Sequence, residues 1–121
     1  MFKSFLTIVT LFIIAGSAIS QNLNIQAGSN YTGSGTYNVK GNINNTEAKA
    51  ISGTVNLIGV NQNIGTGGNG ALTFEKLNSQ GSGTKTQNVV VNVSTAFTIA
   101  GTGSFDINGQ TLNLDGTCRW Y

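Results

Sequence analysis

Between Gly83 and Gly116 the chain reads GTKTQNVVVNVSTAFTIAGTGSFDINGQTLNLDG. Short apolar runs recur there, each cut within a few residues by Gly, Asn, Asp or Thr. Val89, Val91 and Val93 are followed by Phe97 and Ile99, then Phe105 and Ile107, then Leu112 and Leu114. Period-two runs of β-branched and aromatic residues between turn formers specify strands. No stretch of the window carries a helical period. A chain written this way is restricted to an all-β fold of short strands.

The same grammar extends toward the N-terminus. Leu23 and Ile25 open it, then Tyr37, Val39 and Ile43, then Ile51, Val55, Leu57, Val60 and Ile64, then Leu72 and Phe74. Gly-Thr occurs at Gly35-Thr36, Gly53-Thr54, Gly65-Thr66, Gly83-Thr84, Gly101-Thr102 and Gly116-Thr117, in steps of 18, 12, 18, 18 and 15 residues. A unit near 18 residues is too short for a domain. It fits one coil of a parallel β-solenoid, in which each coil pairs with those above and below and the inward side chains stack. About five short coils are expected, with Gly and Asn at the corners where left-handed backbone is required. The alternative is an antiparallel, pilin-like β-sandwich. Its support is Asn108-Gly109, a hairpin dipeptide between two alternating runs. The expected core is Val55, Leu57, Leu72, Phe74, Val89, Val91, Val93, Phe97, Ile99, Phe105, Ile107, Leu112 and Leu114.

The first 20 residues read differently. Lys3 precedes an apolar run from Phe5 to Ala15, and Gly16, Ser17, Ala18 and Ser20 follow. Ala18 and Ser20 fit the −3 and −1 positions of a signal-peptidase site. Residues 1–20 are therefore expected to be a signal peptide, and 21–121 a single β-rich domain that is secreted to the extracellular space or cell surface. No membrane association is expected after cleavage.

Charge is sparse. With Lys3 set aside, five Lys and Arg face four Asp and Glu, a net charge of +1 spread along the chain. That is no footprint for nucleic acid. Such low charge also weakens repulsion between copies. Histidine is absent, which excludes Ser-His-Asp and Cys-His chemistry and His-ligated zinc. Gly65–Gly70 lacks the Lys-Ser/Thr ending of a phosphate loop and reads as a turn. Asp106, between Phe105 and Ile107, points away from the core. The expectation is no enzyme, with no catalytic, cofactor or metal residues.

The phrases GSGTKT, FTIAGTGSFDI and GQTLNL, within Ala71–Gly116, resemble the β-solenoid passenger segments of secreted bacterial surface proteins. These are the filamentous-haemagglutinin-like and Bacteroidetes-type adhesins. The resemblance implies a surface role without catalysis.

A solenoid has two open ends, and unguarded strand edges pair with other chains. This chain has no Pro, and its terminal runs carry few charges. The expected function is a structural one: a self-assembling subunit of an extracellular or cell-surface filament. The partner is a second copy, joined by β-strand addition or end-to-end stacking. Assembly candidates are Leu23, Ile25, Cys118, Trp120 and Tyr121. Cys118 is the one cysteine, so it either pairs between molecules or sits in the last strand as a small residue. The alternative function is an adhesin-like module binding carbohydrate or another surface, with surface glycans as partners and exposed aromatics as stacking platforms. Threonine rows (Thr84, Thr86, Thr95, Thr98) are a further candidate surface. The spaced Asn/Gln ladders of amyloid-type repeats are not apparent in the linear sequence.

Overall fold

The computed structural model describes residues 18–19, 22–26, 28, 31–67 and 70–121. Most of the expected signal segment, residues 1–17 and Ser20, lies outside these residues, as do Gly68 and Asn69 of the Gly65–Gly70 turn. Among the described residues twelve strands follow one another: β1 (Ala18–Ile19), β2 (Leu23–Ile25), β3 (Thr36–Val39), β4 (Ile43–Asn45), β5 (Lys49–Leu57), β6 (Gln62–Thr66), β7 (Leu72–Ser79), β8 (Thr84–Gln87), β9 (Val91–Ile99), β10 (Ser104–Asp106), β11 (Leu112–Leu114) and β12 (Thr117–Trp120).

The pairing is parallel throughout. One sheet runs β1-β3-β5-β7-β9-β11, with β12 also on β9, and the other runs β10-β8-β6-β4-β2. Strands therefore alternate between two stacked ladders, and each pairs with the strand one coil away. This is a parallel β-solenoid of about 4 turns, the steps between five strand layers in each sheet once β1 is set aside. The coil is longer and less even than the Gly-Thr spacing suggests. Asn56 sits 18 residues from its ladder partner Asn38, and Thr84 sits 23 residues from Asn61 below it.

The long strands bend. Register shifts fall between Ile51 and Thr54 in β5 and between Phe74 and Lys76 in β7. At the bend β7 sends Glu75 and Lys76 outward in succession before Leu77 turns in. Gly53 makes the same bend in β5 with φ +85°, packed so closely on Gly35 that a Cβ would strike its carbonyl. Glu75 Oε2 accepts the Gly53 N–H at 2.7 Å, satisfying a donor that the bend takes out of the ladder.

Inward residues stack in columns. Tyr37, Val55, Leu77, Phe97 and Cys118 form one; Val39, Leu57, Ser79, Ile99 and Trp120 form another. Of the expected core, the nine residues from Val55 to Ile99 are buried. Phe105 and Leu112 are half-buried against the core, whereas Ile107 (47%) and Leu114 (37%) are exposed. The reason is position: both belong to the last coil, and among the described residues nothing lies above it. The core also takes in Leu23, Ile25, Tyr31, Tyr37, Val39, Ile43, Ile51, Ile64 and Leu77.

Asn108-Gly109 is a corner, not a hairpin. Both residues are left-handed (φ 50° and 72°), and Gln110 N donates to Ile107 O at 2.8 Å. The strands on either side do not pair with each other: β10 lies on β8 and β11 on β9. The turn chemistry that fits a hairpin here carries the chain from one sheet to the other.

Candidate functional site: the ends of the solenoid

The two flanks of the solenoid are closed by hydrogen bonds along every layer. The ends are where bonding potential is left over. At the C-terminal end, β10, β11 and β12 each pair on one side only. Their inward residues continue the core columns but lack a coil to cover them. Trp120 is 77% exposed and Tyr121 70%, and Ile107 and Leu114 of the same last coil are exposed too. Cys118 is a free, exposed thiol at the top of the Tyr37 column. Three of the five assembly candidates, Cys118, Trp120 and Tyr121, thus lie together at this end. Arg119 turns its guanidinium onto the Tyr121 hydroxyl (3.1 Å), and this contact raises its pKa.

The other two candidates, Leu23 and Ile25, sit in β2 at the opposite end. They are buried at 1% each, and β2 pairs with β4 of its own chain. The outer edge of β2 has no strand on it among the described residues. The outer edge of β3 carries β1, with Ala18 against Asn38 and Ile19 against Val39.

Between the ends, asparagines stack from coil to coil. Asn78 Nδ2 donates to Asn56 Oδ1 (2.8 Å), and Asn56 Nδ2 to Asn38 Oδ1 (2.7 Å). On the other sheet Asn44 Nδ2 donates to Asn24 Oδ1 (2.7 Å), and Asn108 to Asn88 and Asn88 to Asn63 at 3.2 and 3.3 Å. Asn113 donates to Asn92 at 2.7 Å. Ladders of this kind are present after all. They escape a linear reading because the intervals between partners vary with corner length. Their polarity is uniform: each amide donates toward the N-terminal end and accepts from the C-terminal side.

The core itself also holds polar groups. Lys85 is fully buried in β8. Its Nζ donates to the carbonyls of Gly59 (2.5 Å), Ser82 (2.8 Å) and Val60 (3.3 Å), and burial lowers its pKa. Gln62 Nε2 likewise reaches the Val39 and Gly41 carbonyls, and Gln87 Nε2 those of Val89 and Thr111. These side chains close corners from within; the Val39 and Thr111 carbonyls each accept a backbone N–H as well, from Ile58 and Val91.

The carboxylates are dispersed. Glu47 pairs with Lys49 at 2.6 Å and accepts the Gly28 N–H at 3.2 Å; the Lys49 contact, with that backbone bond, lowers its pKa. Glu75 braces the β5 bend, and Asp106 Oδ1 accepts the Asn108 N–H at 2.8 Å. Among the described residues no three His, Cys, Asp or Glu side chains cluster. Thr84 and Thr86 lie on the outer face of β8, whereas Thr95 and Thr98 lie on β9 in the other sheet, so the four make no single row. Tyr31 and Tyr37 pack edge-on inside the core, 6.2 Å between centroids, so neither ring presents a face for a glycan to stack on.

An open cleft of about 320 Å³ lies on the outer face near the N-terminal end. Ile25 and Gly67 line it together with Asn24, Gln26, Asn44, Asn45, Thr46 and Thr66. Asn44 Oδ1 is shielded from solvent there and accepts no hydrogen bond among the described residues. No protein-family model, no curated protein and no solved structure matches the chain.

Proposed function

We propose that this chain is a secreted structural protein, the self-assembling subunit of an extracellular or cell-surface filament. One observation carries the reading: the core columns run out at the C-terminal coil into exposed apolar side chains flanked by three single-sided strand edges. An uncovered strand edge is a template for another strand, and a contiguous apolar surface beside it marks an interaction site. With so few charges on the chain, long-range repulsion between copies is weak. Head-to-tail contacts of this kind do not close and so build open filaments.

Sedimentation velocity over a concentration series, on the chain beginning at Gln21, tests the reading. Growth to large assemblies with concentration is expected, and Trp120→Lys should suppress it. A monodisperse monomer at every concentration overturns it.

A second reading rests on the cleft near the N-terminal end, where amide and hydroxyl side chains stand beside Ile25. Its asparagine, glutamine and threonine groups suit the hydroxyls of a glycan, as an adhesin-like module requires. Glycan-array binding lost in Asn44→Ala supports that reading; no binding to any glycan removes it.

A further inference from the structure

The geometry points to one specific junction between copies. The last coil of one copy seats under the first coil of the next, with β12 taking the place on β3 that Ala18–Ile19 hold, so that removal of the leader opens the receiving end. The inference rests on the filament reading above.

The register supplies the argument. Thr36 stands in one column with Thr54, Lys76, Ala96 and Thr117, and Asn38 in one with Asn56, Asn78, Thr98 and Arg119. With the Tyr37 and Val39 columns already described, β3 and β12 bracket the same four columns with no net shift. A copy added in register places Thr36 over Thr117, Tyr37 over Cys118 and Val39 over Trp120. Apolar side chains then meet apolar side chains, and Trp120 gains the layer it lacks.

The second sheet agrees independently. Leu23 pairs with Ile43, Ile43 with Ile64, and Ile64 with Gln87. Asp106 pairs with Thr86, so Ile107 comes next to Gln87. The same seating therefore puts Leu23 over the exposed Ile107. With β1 removed, both sheets hold five strand layers, so the two sheets meet their counterparts at the same height.

Polar groups match as well. The ladder polarity leaves a donor, Asn24 Nδ2, at the N-terminal end and an acceptor, Asn108 Oδ1, at the C-terminal end. Within the stack, Asn22 Oδ1 accepts the Asn42 N–H and Asn42 Oδ1 the Asn63 N–H, both at 2.8 Å. Asp106 ends that column with a carboxylate facing the next copy's Asn22 N–H. Only Arg119 interrupts, and it is turned aside onto Tyr121.

β1 stands in the way. It occupies the edge that β12 must take, and cleavage after Ser20 removes it. The uncleaved chain is then unable to receive a second copy, which keeps assembly from starting before export.

The test places cysteines in the full chain with Cys118→Ser and a specific protease site inserted between Ser20 and Gln21. Thr36→Cys with Thr117→Cys is the in-register pair; neighbouring strands about 4.8 Å apart fall within the roughly 4.4–6.8 Å that a disulfide spans. Thr36→Cys with Asp115→Cys is the out-of-register control. After cutting, oxidation is expected to give a ladder of covalent multimers for the first pair and not the second. Before cutting, neither pair should give multimers. Filaments in which only the control pair links overturn the junction while leaving the filament reading intact. Equal multimer formation before cutting overturns the role of β1. No assembly after cutting overturns both readings.

Discussion

Lys85 gives the sharpest test of how the coils hold together. A fully buried ammonium faces three carbonyls, two of them at 2.5 and 2.8 Å, and no carboxylate contacts it among the described residues. Lys85→Met keeps the stem and deletes the donor. A hydrogen bond to a charged group contributes about 1.5–3 kcal/mol, and a buried acceptor left unpaired costs roughly 1–3 kcal/mol. Against this, Met no longer requires a buried charge, which returns part of the desolvation cost. All three carbonyls face inward onto the ammonium, so each loses its side-chain donor in the variant. The expected net loss is about 2–4 kcal/mol. In urea, at a slope of about 2 kcal/mol per molar for a small domain, the midpoint should fall by roughly 1–2 M. Lys40→Met, at an exposed position, should change the stability by less than about 0.5 kcal/mol. A Lys85→Met chain as stable as the parent would refute the claim that the corners are closed from within.

Gly53→Ala meets both left-handed strain, roughly 1–2 kcal/mol, and the Gly35 carbonyl, whereas Gly109→Ala has open space and should lose only the strain; thermal midpoints of the pair separate the two costs. Phe74→Ala removes the largest fully buried side chain of the central layer and should cost about 3–5 kcal/mol, read by urea unfolding. Glu47 is an acid whose folded pKa lies below its ordinary 4.5. Its contribution is therefore complete above pH 4.5 and disappears as pH falls through the depressed folded value. Glu47→Gln should flatten that acid limb of the stability–pH profile by lowering the neutral side toward the acid side, where the two chains converge.

The solenoid was legible because strand runs and turn residues recur faster than any sandwich needs. The finer period was not. Thr36 and Thr54 do stand one coil apart, as do Thr84 and Ser104 on the other sheet. The Gly-Thr pairs, however, belong to three different places in the coil, with Gly65-Thr66 at the end of β6 and Gly83-Thr84 at the start of β8, so their steps mix within-coil and between-coil intervals. Leu77 escaped because Glu75 and Lys76 both face outward at the bend and break the alternation on which the reading depended. Lys85, Gln62 and Gln87 escaped for a different reason. Such residues are mostly found outside, and only the inward carbonyls of a solenoid corner make burial favourable. The asparagine ladders needed the register before they could be seen. Of the assembly candidates, Cys118, Trp120 and Tyr121 were legible as a group because the last run of the chain is apolar with little charge. That Leu23 and Ile107 share a column was legible only from the pairing.

The most direct measurement of the central claim is electron microscopy of the chain cleaved at Gln21, over a concentration series. Five layers at about 4.8 Å each predict uniform unbranched filaments with an axial subunit repeat near 24 Å. Compact particles of constant size at every concentration, or filaments whose strands run along the axis instead of across it, would contradict the account.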